Sequence, residues 1–119
     1  MINAAHVLLM SRDAEADRVF LRDVLGWPFV AAGAEGDPWP IFRLPPAEVA
    51  VHPTDGSQST QLYLMCVDLT ATLRELAEMG VAPTHEPRQT GWGIVTAIRL
   101  PSGMELGLYE PQHATAFQK

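Results

Sequence analysis

One cysteine, Cys66, leaves no partner for an internal disulfide and points to a reducing, cytoplasmic setting. No apolar run approaches the ~20 residues of a membrane-spanning helix. The N-terminus has neither a basic flank nor a signal-like apolar core, so no membrane association or export is expected. Only 8 Lys and Arg stand against 14 Asp and Glu, a formal net charge of −6. With no basic run and no interleaved aromatic stripe, that balance excludes nucleic acid as a partner. Low-complexity tracts are absent too, the 10 prolines and 9 glycines falling at turn-like places. What remains, 47% apolar and 18% charged in 119 residues, suits one soluble globular domain with a core of its own.

What the chain does have is a pattern that runs twice. The stretch 41–53, with Leu44-Pro45-Pro46 followed by Glu48, returns at 97–111 as Leu100-Pro101-Ser102-Gly103 followed by Glu105. Upstream, residues 6–13 share their layout with 61–68: a polar residue, an apolar run, then an acid. In the first copy residues 2–9 read as a strand, and Asp13 is placed to cap a helix carrying Val19, Phe20, Leu21, Val24 and Leu25. Gly26 closes that helix. Strands are predicted over 27–32, 39–44 and 47–52, the last two pairing around Pro45-Pro46, with 33–38 as a loop.

After the linker 53–58 the order restarts. Residues 60–67 read as a strand, and Asp68 caps a helix with an apolar stripe of Leu69, Leu73, Leu76 and Met79 ended by Gly80. Strands over 81–85, 92–100 and 104–109 follow, with Pro101-Ser102-Gly103 as the final hairpin turn. The expected architecture is α+β: two pseudo-symmetric βαβββ units, residues 1–53 and 58–111, in one domain, with the tail 112–119 outside the pattern. Neither unit buries its sheet face alone, so the two should pack as a pair, each with a helix on the convex side and a cavity on the concave one.

The repeat also pairs polar side chains. His6 and Gln61 sit in the opening strands, Glu48 and Glu105 in the closing ones. Strand alternation puts each on the face expected to line the cavity, where an unpaired carboxylate is costly. If the halves pair symmetrically, imidazole, amide and two carboxylates make a divalent-metal set.

At this point the chain resembles the vicinal oxygen chelate superfamily, the glyoxalase/bleomycin-resistance/extradiol-dioxygenase group, over roughly residues 2–111. The most specific stretch is Leu100-Pro101-Ser102-Gly103-Met104-Glu105-Leu106, similar to the group's closing hairpin, whose Glu is a metal ligand. The opening strand with His6, the helix end Val24-Leu25-Gly26-Trp27 and Gly91-Trp92-Gly93 add support. The resemblance implies paired βαβββ units cupped around a metal or ligand cavity, a homodimer, and metal ligation by His6, Glu48, Gln61 and Glu105. Glyoxalase I enzymes use two carboxylates with His/His or Gln/His, close to this set. Dioxygenases and fosfomycin-resistance transferases use two His and one Glu, and methylmalonyl-CoA epimerase two His, one Gln and one Glu, so Gln61 or Glu48 departs from each.

Two functions follow. The first is a glyoxalase-like lyase or isomerase acting on a small α-oxo or vicinal-oxygen compound. It would use Zn, Ni, Co, Mn or Fe(II), with Glu48 or Glu105 moving the proton. The second is a metal-free small-molecule binding protein of the bleomycin-resistance type, in which the same glutamates, Trp39 and Trp92 line an acidic groove.

Other residues are weaker candidates. His52 and Tyr109 follow the two glutamates at matching places, and Met10 and Met65 match as well. Arg12, Arg43, Arg88 and Arg99 could meet an anionic substrate. His85 lies in a loop and His113 near the tail, where solvation is the simpler expectation. Cys66 reads as packed rather than reactive.

Overall fold

Both helices begin where an aspartate precedes an apolar stripe. The computed structural model describes residues 1, 3–32 and 39–118. The Asp13 carboxylate accepts from the Ala16 amide at the head of α1 (Ala14–Asp23), and Asp68 does the same for Ala71 at the head of α2 (Leu69–Glu78). Each helix exits through a glycine with a left-handed backbone, Gly26 at φ 68° and Gly80 at φ 80°, which other residues adopt only with strain.

The second unit forms as its pattern requires. Strands β3 (Tyr63–Met65), β4 (Arg88–Gln89), β5 (Gly93–Arg99) and β6 (Glu105–Pro111) make one sheet in the order β3-β6-β5-β4. β3 runs parallel to β6, and the other pairs are antiparallel. At the β5–β6 turn, Gly103 donates to the Leu100 carbonyl and Leu100 to that of Met104. Ile98, Leu100, Leu106 and Leu108 alternate onto the helix side and pack with Leu69 and Leu76 of α2. The predicted strand 81–85 does not form; Thr84 donates to Ala97 from a turn, and sheet pairing begins only at Arg88.

The first unit forms its centre but not its margins. β1 (Phe29–Ala32) pairs antiparallel with β2 (Trp39–Phe42), Phe29 facing Phe42 with their rings 5.5 Å apart. The predicted loop 33–38 lies outside the described residues, as does Ile2. The described part of the predicted strand 2–9, residues 3–9, and the predicted strand 47–52 take no strand conformation, so β2 pairs with β1 rather than across Pro45-Pro46. A strand needs a neighbouring ladder, and a two-stranded ribbon with open faces is marginal in water. Helix α1 has meanwhile turned to the other unit. Phe20 and Leu21 lie in the same core as Leu69, Ile98 and Leu100. Asp17, only 5% exposed, accepts from both the amide (2.9 Å) and the hydroxyl (2.7 Å) of Ser102 in the β5–β6 turn.

Candidate functional site

The sheet face away from the helices carries the chemistry. Register places Val95, Ala97 and Arg99 of β5 opposite Tyr109, Gly107 and Glu105 of β6, with Tyr63 and Met65 of β3 alongside on the same face. Gly107 gives this face its shape. A β-carbon there would stand 2.1 Å from the Tyr63 ring, so that ring lies in the space a side chain would fill. Tyr63 then meets Trp92 edge-on at 5.7 Å and Tyr109 edge-on at 6.0 Å, and Trp92 meets Tyr109 at 4.8 Å. These are the tilted geometries that ring quadrupoles favour. The His113 ring stacks on Tyr109 with its Nε2 3.3 Å from the phenol oxygen.

This patch is acidic at one side. Burial pushes the Tyr109 phenol above its ordinary value, and the nearby Glu48 carboxylate pushes it further the same way. Glu48 reaches this position by accepting the amide of Ala116 in the tail, a bond spanning 68 residues. Tyr63 keeps 39% of its surface exposed and Trp92 is half-buried, so the rings are open to a ligand from one side.

The four expected metal ligands are only partly gathered. Extending the β3–β6 register two residues back from the Tyr63–Gly107 pair sets Gln61 beside Glu105. Glu105 is exposed and opposite Arg99. Glu48 is engaged with the tail, and His6 is exposed on the unpaired stretch 3–10. Among the described residues no group of three or more His, Cys, Asp or Glu is placed to hold a metal ion. Within one chain the four donors are therefore not gathered into one cluster, and no chemical step is assigned to a metal.

The remaining candidates scatter. His52, Met10 and Arg12 are exposed, and Met65 is half-buried opposite Tyr109. The His85 ring donates through Nδ1 to the Glu86 carbonyl. Trp39 sits under the Arg18 guanidinium at 4.9 Å, a cation–π contact rather than a cavity wall. Arg43, Arg88 and Arg99 are exposed, and Arg99 donates to the Gly103 carbonyl. Cys66 is buried, and burial raises its thiol, so it is packed as expected. Tyr63 lies on the face with Gln61 that strand alternation assigns to the cavity, and one residue escaped the sequence reading. Glu110, which accepts from the Leu69 amide and so adds a second cap to α2, had no local signature because its partner lies 41 positions away.

No known protein family matches the sequence in a family scan, and no characterised protein matches it either. Solved structures do. TnmS3, an antibiotic binding protein from Streptomyces sp. CB03234, is 25% identical, with 94% of this chain and 100% of that one covered and a TM-score of 0.64. A glyoxalase/bleomycin resistance protein from the same strain is also 25% identical, covering 84% of this chain and 93% of its own at 0.58. Lactoylglutathione lyase from Agrobacterium tumefaciens, 17% identical over 91% and 92% at 0.61, shares the fold. The small α+β fold is that of the glyoxalase/bleomycin resistance/dioxygenase proteins, consistent with the vicinal oxygen chelate superfamily.

Proposed function

We propose that this chain, with the fold of the vicinal oxygen chelate proteins, binds and sequesters a flat aromatic small molecule without turning it over. The observation that carries the reading is the cluster of Tyr63, Trp92 and Tyr109 on the face away from the helices, with Glu48 beside it. Ring faces and edges supply apolar area with fixed geometry, and each well-placed ring contact adds about 0.5–1.5 kcal/mol beyond area burial. Glu48 would favour a ligand bearing a positive group. The similarity to an antibiotic binding protein supports an antibiotic-like ligand. The protein would act as a homodimer in the cytoplasm, where a lone thiol such as Cys66 stays reduced.

The test is titration of the purified chain with a panel of planar aromatic antibiotics, followed by tryptophan fluorescence. Saturable quenching, unaffected by chelator and lost in Trp92→Ala, is the expected result. No binding across the panel, or binding abolished by chelator, would overturn the reading.

The second reading is a divalent-metal lyase or isomerase. The observation in its favour is the β3–β6 register, which continued two residues back would set Gln61 beside Glu105, half of the expected donor set. Its test is metal content after loading with Ni, Co, Zn or Mn: about one ion per chain, lost in Glu105→Gln, supports it, and no retained metal removes it.

A further inference from the structure

A flat ring already lies on the ring cluster, and it is the protein's own. The His113 imidazole is stacked on Tyr109, with centroids 6.0 Å and planes 23° apart, whereas Tyr63 and Trp92 meet that phenol edge-on. Offset stacking is the arrangement a planar ligand would take on the same ring. Tyr109 is only 6% exposed, while Tyr63 keeps 39%.

The tail also answers both polar groups of the site. Nδ1 of His113 meets the Ala114 carbonyl at 2.8 Å, and a carbonyl only accepts. Nδ1 therefore carries the proton, and Nε2 of the neutral ring is an acceptor. The Tyr109 hydroxyl donates to it, at 3.3 Å. Three residues on, the Ala116 amide donates to the Glu48 carboxylate. Both groups serve one place, because Glu48 lies near enough to Tyr109 to add to the rise that burial gives its phenol. The tail thus presents one flat ring, one acceptor for the phenol and one N–H for the carboxylate.

This segment is lightly held. Its tie to the sheet is Gln112, whose amide donates to the Trp92 carbonyl and whose side chain accepts from Gln89. Beyond it, among the described residues, 113–118 make two hydrogen bonds to the rest of the chain, those with Tyr109 and Glu48. His113, Ala114, Ala116, Phe117 and Gln118 are exposed. The tail can lift at Gln112 without unpairing a strand.

We propose that residues 113–118 occupy the ligand seat of the ring cluster as an internal stand-in, and that the ligand displacing them is a planar nitrogen heterocycle bearing an N–H donor. Its ring replaces the His113 imidazole on Tyr109, its ring nitrogen accepts from the phenol, and its N–H goes to Glu48. A plain hydrocarbon of the same outline would leave both polar groups unpaired. The inference rests on the binding reading above and narrows its ligand class. It also sets a threshold, since apparent affinity falls with the fraction of chains whose tail is down.

The probes are 2-aminoquinoline, which has the ring nitrogen and the N–H, and quinoline, which keeps the nitrogen alone. Each is titrated by calorimetry into the full chain, His113→Ala and Ala116→Pro. The proline removes the amide that Glu48 accepts and leaves Glu48 itself in place. With the tail down in about nine chains of ten, both variants should bind 2-aminoquinoline about tenfold tighter than the parent. Quinoline should bind every chain more weakly than 2-aminoquinoline. As a second measurement, the Tyr109 ring current marks the His113 proton resonances, and 2-aminoquinoline should return them to those of a solvated histidine. Variants that bind no tighter than the parent overturn the proposal. So does quinoline binding as tightly as 2-aminoquinoline, saturation that leaves the His113 resonances unmoved, or no uptake of 2-aminoquinoline by any of these chains. The antibiotic panel on the same samples separates the two readings. Antibiotics bound equally by parent and variants keep sequestration and remove the stand-in. Tighter uptake of 2-aminoquinoline by both variants, with no antibiotic bound by any chain, keeps the stand-in and removes sequestration.

Discussion

Removing the Asp17 carboxylate tests whether α1 is held to the second unit as described. Asp17 is buried and accepts two hydrogen bonds from Ser102, 85 positions away. Hydrogen bonds to a charged acceptor contribute about 1.5–3 kcal/mol each. Ser102 is half-buried, so water reaches part of what Asp17→Ala leaves unpaired, and the expected loss is about 3 kcal/mol rather than the sum of both maxima. Unfolding entropy near 2.1 cal/mol/K per residue makes 1 kcal/mol worth about 4 °C in a chain this long, so Tm should fall by about 12 °C. Ser102→Ala removes the hydroxyl's bond to Asp17 and the long one (3.4 Å) it accepts from the Met104 amide, keeps the Ser102 amide bond, and should cost about 1.5 kcal/mol, near 6 °C. The assay is thermal melting by circular dichroism at one fixed protein concentration, since association shifts Tm. A double-mutant cycle should return a coupling of about 1 kcal/mol between the two positions. An Asp17→Ala drop under about 2 °C, or a coupling of zero, would mean that α1 is not fastened here.

Gly107→Ala should drive the Tyr63 ring off the sheet, because the new methyl would occupy its place while the ring can swing into solvent. Two edge-on ring contacts are then lost, about 1–2 kcal/mol in urea melts with a changed near-ultraviolet dichroism; an unchanged aromatic signal would refute the packing. Tyr109 should ionise late. Its folded value lies above the ordinary 10 of tyrosine, mainly through burial and secondarily through Glu48, so the folded chain holds that proton more tightly. The associated stability is whole below about pH 10 and disappears as pH rises through the folded value. Ultraviolet titration of a Tyr63→Phe chain isolates this group. Glu48→Gln should move it only part of the way back, and a phenol titrating at or below pH 10 would contradict the burial seen.

How much of this was legible beforehand depends on whether the partner of each residue is local. Asp13 and Asp68 cap helices through amides three positions on, and Gly26 and Gly80 end them. Such short-range chemistry can be read from a string of letters. The turn at Pro101-Ser102-Gly103 was legible for the same reason. The fate of the strands read over 2–9 and 47–52 was not, because apolar alternation states a capacity to pair and says nothing about where the pairing ladder is. The same limit applies to His6, Glu48, Gln61 and Glu105. Their matching places in the repeat are plain in the sequence. Glu48 nevertheless finds the Ala116 amide, a contact no repeat arithmetic announces. The ring cluster stood midway: strand alternation puts Tyr63 on the cavity face and Trp92 and Tyr109 could be named as candidates, while the packing of the Tyr63 ring over Gly107 needed the structure.

The bonds that cross the middle of the chain have a consequence for how the protein could be cut. Asp17 is tied to Ser102 and Glu48 to Ala116, and Phe20 and Leu21 are buried among side chains from the second unit. The segment between them, 53–58, is exposed throughout and contributes one internal bond, from the Gly56 amide to the Thr54 hydroxyl. A peptide bond broken there would not release two domains. The fragments would remain one particle, joined by a shared interior, and two separately made halves should find each other on mixing. Though the duplication is still visible in the letters, neither copy is any longer a module that can be lifted out and used alone.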